Sequence, residues 1–191
     1  EITEGLVGSE MCIRDSIARE RPAATGAAMA ALMKEAGGGS LGLFTAIQRL
    51  RAIYPYLAGQ LSSADIPLYA QHIDQMNLQT LLQLFRADKN SCLVGTDAVR
   101  DGIDVPGQAL RMILYDRVPW PRPDMLFKAR AKWIGKNELT DRLTRMKLRQ
   151  AFGRLIRRAD DKGMFVMLDS RLPTRLTLSL IHISEPTRPS V

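Results

Sequence analysis

Five short apolar runs separated by stretches of helical spacing constrain this chain to one kind of fold. The runs are Leu41-Gly-Leu-Phe44, Ile66 to Ala70, Cys92-Leu-Val94, Leu110 to Tyr115 and Met164 to Leu168. Runs this short, without polar alternation, read as strands buried on both faces. Between them, Ile47, Leu50, Tyr54 and Leu57 share one helical face, and Leu78, Leu81, Leu82 and Phe85 share another. Two more helices are predicted near Met125 to Trp133 and from Glu138 to Arg158. The pattern predicts an α/β domain, a parallel sheet of about five strands flanked by helices, with ligands at the carboxyl ends of the strands.

Three places carry chemistry in such a frame. In Gln150-Ala-Phe-Gly-Arg-Leu-Ile-Arg157, helical spacing puts Gln150, Arg154 and Arg157 on one face and Leu148, Phe152, Leu155 and Ile156 on the other. Gly153 costs about 1 kcal/mol relative to alanine inside a helix, so it suits a place where another backbone or a phosphate must come close. An ordinary amphipathic helix with a solvated basic side has the same spacing. The run Gly95-Thr-Asp-Ala-Val-Arg-Asp-Gly-Ile-Asp-Val-Pro-Gly107 follows a predicted strand. Its Thr96 hydroxyl and backbone N–H groups suit a phosphate, and the Asp104 carboxylate suits ribose hydroxyls or an arginine. A glycine-rich strand-to-helix loop of any α/β protein would also account for Gly95, Gly102 and Gly107. Thr45 sits where a strand hands over to a helix N-terminus, where free N–H groups favour an anion, although a plain helix cap needs the same residue.

These segments resemble a known family. Q-x-x-G-R-x-x-R, as it stands at Gln150 to Arg157, is similar to the last conserved motif of superfamily-two helicases, and Thr96 to Pro106 is similar to the motif before it. Motif order, the stretch Asp116-Arg-Val-Pro-Trp-Pro-Arg-Pro-Asp124 and the ending Asp160 to Asp169 resemble the carboxy-terminal motor domain of DinG-like helicases, in the XPD-like branch, from about Leu41 to Leu178. Many DinG relatives carry Ser-Phe-Trp-Glu where this chain has Ala98-Val-Arg-Asp101, so a cation stands in the place of an aromatic.

The resemblance implies a RecA-like domain of an ATP-dependent DNA helicase, typically moving 5′ to 3′ on single-stranded DNA in the bacterial cytoplasm at the nucleoid. It implies that Arg154 and Arg157 act as arginine fingers at a γ-phosphate, where a planar permanent cation is needed. Gln150, Gly153, Gly102 and Asp104 would face the nucleotide, while Thr45, Thr96 and Arg117 would face nucleic acid. It also implies ATP and Mg2+, bound mainly by an N-terminal RecA-like domain of the same protein, since no G-x-x-x-x-G-K-[ST] loop occurs here. Alone, the chain is expected not to hydrolyse ATP. Two other readings are a non-catalytic nucleic-acid-binding module and an RNA-remodelling enzyme, because the Thr96 to Pro106 segment also resembles DEAD-box helicases, whose last motif usually begins with histidine rather than Gln150.

Both ends look different from the middle. Gly5 to Ser16 and Ser179 to Ser190 look like translated sequencing-library sequence, so 1–16 is expected to be a non-native leader, 17–178 the domain of an incomplete protein and 179–191 a non-native tail. The full chain has net charge +7; residues 17–178 carry 25 Lys and Arg against 15 Asp and Glu, or +10. From Arg100 to Leu178 there are 18 basic and nine acidic residues, a field that favours a polyanion. No apolar run approaches the ~20 residues that span a bilayer, and no membrane partner is expected.

The remaining features read as structural. The chain has two cysteines, short of the four thiolates of an iron–sulfur cluster, and Cys92 reads as a small buried hydrophobe. Gly37-Gly-Gly-Ser40 reads as a flexible connector, and His72 has no metal-ligand partner nearby. Met112, Met125, Met146, Met164 and Met167 read as core filler. Trp120, flanked by Arg117 and Arg122, either stacks on a base or anchors its proline-rich loop.

Overall fold

The computed structural model describes residues 9–12, 22–103, 105, 109–156 and 161–176. Its elements run β1 (Ser9–Cys12), α1 (Pro22–Glu35), β2 (Ser40–Leu43), α2 (Ile47–Ser62), β3 (Leu68–Ala70), α3 (Leu78–Ala87), β4 (Cys92–Gly95), α4 (Asp97–Gly102), β5 (Met112–Tyr115), α5 (Met125–Ile134), α6 (Lys136–Leu155) and β6 (Met164–Met167). All strands pair in parallel, in the order β1-β6-β5-β2-β4-β3.

The five apolar runs of the sequence are β2 to β6, each within two residues of its expected limits. A sixth strand, β1, lies inside the expected leader and extends the sheet at its β6 edge. The ladder pairs Ser9–Cys12 with Met164–Met167, and the backbone groups of any sequence can be offered to an open edge.

Both faces of the sheet are covered, which is why the runs do not alternate. On one face Leu41, Leu43, Leu93, Ile113, Tyr115, Phe165 and Met167 pack against α3, α4 and α6; on the other, Val94, Met112, Leu114 and Val166 pack against α1 and α2. Successive residues point to opposite layers, as a pleated strand requires. Phe152 of α6 meets Phe165 of β6 with ring centroids 6.2 Å apart. Burying such a side chain contributes roughly 1.5–3 kcal/mol.

The helices depart from expectation in four ways. The alanine-rich stretch of α1, for which the sequence patterning offered no assignment, is a full helix. It lies so close to α2 that a methyl on Gly26 would come 2.8 Å from Tyr56 Cβ. In α2, Ile47 is 39% exposed instead of joining the buried stripe of Leu50, Ile53, Leu57 and Leu61. Met125 and Met146 are not core filler: they are 81% and 47% exposed, whereas Met112 and Met167 are buried. Finally, α6 stops at Leu155, with Ile156 as its extended cap, rather than at Arg158. Arg157 lies outside the described residues.

The Gly37-Gly-Gly loop is a connector but not a loose one. Its three glycines have φ of +63°, +80° and +57°, which L side chains rarely adopt. Arg111 donates from Nη2 to Gly37 O (2.7 Å), from Nε to Ala36 O (3.3 Å) and from Nη1 to Lys89 O (3.1 Å), pinning the loop at the amino end of the sheet. Cys92 is free and fully buried, and burial pushes its thiol up to about 12.

Candidate nucleic-acid cleft and arginine helix

Around β2 the chain changes direction: β3 and β4 lie on one side, β5 and β6 on the other. Loops leaving β2, β4 and β5 thus diverge, and a crevice opens at their carboxyl ends. A cleft of about 540 Å³ occupies it, lined by Thr45, Thr96 and Trp120 from those loops and by Arg122, Arg130 and Lys147 from the loop before α5, α5 itself and α6. Leu126 and Met146 add exposed apolar surface to the same wall. Trp120 does two things at once, packing against the core with part of its surface while presenting the rest to the cleft.

Each threonine is held by a buried polar side chain. Thr96 donates from its backbone N–H (2.9 Å) and its hydroxyl (3.0 Å) to Oε1 of Gln71, which is 8% exposed. Gly95 leaves room for this: a Cβ there would lie 2.2 Å from Val99 Cγ2 and 2.8 Å from Gln71 Oε1. The Thr45 N–H donates to Asp116 Oδ1 (3.3 Å), and Arg49 Nε donates to Asp116 Oδ2 (2.5 Å). Asp116 is 1% exposed. Burial pushes its carboxyl above the ordinary range, against the opposing pull of Arg49 and Thr45. Asp169, at the end of β6, accepts from the Val118 N–H (3.1 Å) and from Arg171, tying down the loop that carries Trp120.

The helix α4 links the cleft to the last turn of α6. Arg100, the cation singled out in the sequence as a departure, is 5% exposed. It donates to Asp101 Oδ1 from Nε (3.0 Å) and Nη2 (2.8 Å), and to Asp97 Oδ1 from Nη1 (3.0 Å). Burial disfavours its charge, but Asp101, Tyr115 and Asp97 outweigh that and raise its pKa. The Tyr115 hydroxyl is buried without a hydrogen-bond partner of good geometry. At the other end of α4, the Asp101 carbonyl accepts from Arg154 Nη2 at 3.4 Å.

The proposed nucleotide-facing residues divide between the described and undescribed parts of the chain. Gln150 and Gly153 are exposed on the last turns of α6, and Gly102 is exposed at the end of α4. A methyl on Gly153 would meet nothing within 4 Å, so no described part of this chain is the close neighbour expected for it. Asp104 and Arg157 lie outside the described residues. Arg117 does not line the cleft; its charge acts on the buried Asp116 beside it.

Gln71, Asp116, Asp97, Arg130 and Lys147 were not singled out from the sequence. Gln71 and Asp116 follow apolar strand runs directly, a polar residue at a strand's carboxyl end that could have flagged them. Arg130 and Lys147 have no such signal.

Residues 29–184 match the family model for the helicase C-terminal domain. The chain belongs to that family. It is 37% identical over 165 residues to the ATP-dependent helicase DinG of Mycobacterium tuberculosis, covering 83% of this chain and 24% of that protein. Over 139 residues it is 34% identical to a protein of Bacillus subtilis named 3'-5' exonuclease DinG, covering 69% of this chain and 15% of that one. The helicase domain thus spans about a quarter or less of the length of these relatives.

Among solved structures, Xpd4 of S. tokodaii superposes with a TM-score of 0.65 at 15% identity, covering 97% of this chain and 38% of that one. Domain 2 of the DEAD-box helicase Mss116p, bound to an RNA duplex, superposes with a TM-score of 0.57 at 16% identity, covering 86% and 55%. At these identities the likeness is of fold, and the fold is the RecA-like helicase domain.

Proposed function

We propose that this domain is the C-terminal half of an ATP-dependent DNA helicase that couples ATP hydrolysis to translocation on single-stranded DNA. The observation that carries this is the cleft, where Thr45 and Thr96 meet Arg122, Arg130 and Lys147 beside the apolar wall of Trp120, Leu126 and Met146. Hydroxyls and cations serve a sugar–phosphate backbone, and aromatic and aliphatic surface serves base faces, neither of which requires a particular sequence. Relatives named ATP-dependent DNA helicase YoaA, in Escherichia coli (38% identical over 104 residues) and Haemophilus influenzae (34% over 102), support DNA over RNA. The likeness to an RNA-bound domain is one of fold.

In this proposal ATP is the substrate, held mainly by an N-terminal RecA-like domain. Arg154 and Arg157 approach from this side, and Gln150, Gly153, Gly102 and Asp104 form the surface that faces the nucleotide. Exposure of Gln150, Gly153 and Gly102, with open space over Gly153, suits a surface that closes against another domain. Magnesium would neutralise phosphate charge when bound. Among the described residues no group of three acidic, histidine or cysteine side chains is placed to hold it.

Within this chain, α4 carries the coupling. Thr96 at its start faces the cleft, and Asp101 near its end touches Arg154. A shift of α4 when DNA enters would move the Arg154 contact, and closure around nucleotide would act back on Thr96, since coupling between sites is reciprocal.

The test is titration of a labelled 20-nucleotide oligo-dT with the full chain across a salt series. The reading expects affinity that falls steeply with salt. Arg122→Ala and Arg130→Ala should each weaken binding several-fold and lower the salt slope by about 0.7. Salt-independent binding, or variants that bind like the parent, would contradict it.

A further inference from the structure

Asp97 stands out as an acid in a cleft otherwise suited to a polyanion. The cleft has a second carboxylate, Asp124, but that one caps α5 by accepting from the Phe127 N–H at 2.7 Å. Asp97 caps nothing through its side chain. Its Oδ2 takes Lys147 Nζ at 2.9 Å and its Oδ1 takes Arg100 at 3.0 Å, while the side chain remains 41% exposed to the cleft. Arg100 keeps a partner without it, because Asp101 Oδ1 accepts from both Nε and Nη2. Lys147, by contrast, is neutralised in the cleft by Asp97.

We propose that Asp97 is a built-in stand-in for a backbone phosphate, occupying Lys147 when the cleft is empty and surrendering it when a phosphodiester enters. The inference rests on the nucleic-acid reading of the cleft. Lysine suits the exchange: its ammonium is a compact charge on a flexible stem and can pass from a carboxylate to a phosphate without a fixed fork geometry. An ion pair this exposed is weak, so the exchange is close to balanced and easily reversed. A cleft that must release each phosphate as a strand advances benefits from an internal competitor; affinity is lowered to keep release fast. Asp97 is then a residue that sets affinity, at the start of the same α4 whose end touches Arg154.

The experiment measures oligo-dT affinity of the full chain for Asp97→Asn, Asp97→Ser and Asp124→Asn. Asparagine caps a helix about as well as aspartate, so Asp124→Asn removes the same charge from the same cleft while keeping the cap of α5. We expect both Asp97 variants to bind about two- to fivefold tighter than the parent, with a salt slope steeper by about 0.7, and Asp124→Asn to gain clearly less. Melting curves identify any variant that fails to fold, and the serine variant keeps the test open if the asparagine variant does. Equal or weaker binding by a folded Asp97 variant, or an equal gain from Asp124→Asn, would overturn the proposal. A parent chain that does not bind oligo-dT at all would instead remove the nucleic-acid reading on which it rests.

Discussion

Among the described residues nothing calls for glycine at position 153: it is exposed, its φ is ordinary and a methyl there would meet no described atom within 4 Å. It therefore carries the helix cost of glycine without a local return. Gly153→Ala is expected to stabilise the isolated chain by about 0.5–1 kcal/mol, read as a higher midpoint in urea. In the complete protein the same change should lower ATP turnover if a phosphate or a second domain comes close there; unchanged turnover would leave Gly153 without a role. At this scale the sequence was legible where one residue's chemistry dominates. Cys92 is buried as its apolar run implied, and Thr45 and Thr96 both reach the cleft. Arg117 is not among the residues lining the cleft, and charge next to Trp120 does not reveal which way a side chain leaves its loop.

At the scale of elements, legibility followed pattern strength. The strands are buried on both faces and announce themselves as unbroken apolar runs. The helix α1 is hidden because alanine favours helix without marking a face, and α6 ends earlier than its charge pattern implies because Ile156 leaves the helix for an extended conformation. The loops of the cleft are held by polar contacts that no periodicity reports.

One of these contacts has a pH signature. At Asp169, burial pushes the carboxyl up, but the hydrogen bonds from Arg171 and from the Val118 N–H outweigh it and hold the group below the usual carboxylate range. A depressed folded value means its stabilisation is present above the unfolded pKa of about 3.9 and is lost as pH falls through the lower folded value. Asp169→Asn should therefore narrow the gap in melting temperature between pH 5.5 and pH 2.5, by about 2–4 °C. A gap as wide as the parent's would remove Asp169 from the acid response. Asp116 has the opposite sign: with its carboxyl raised, its contribution is present at low pH and lost as pH rises through the folded value.

For the molecule as a whole, the family and the sheet were readable from spaced motifs, but the cleft was not. It is assembled from β2, β4 and β5 loops and from α5 and α6, so Thr45 and Lys147 are neighbours only through the fold. The same holds for the path proposed from Thr96 through α4 to Arg154: Arg100, within α4, is buried against Asp97 and Asp101, and the sequence alone does not reveal that. The central claim is that this domain supplies a motor's arginines while its own cleft holds the strand. The most direct measurement is DNA-stimulated ATP hydrolysis by the complete protein carrying Arg154→Ala or Arg157→Ala, alongside its affinity for single-stranded DNA. The account expects turnover to fall by about 10³-fold or more with DNA affinity nearly unchanged. Turnover close to the parent's in both variants would contradict it.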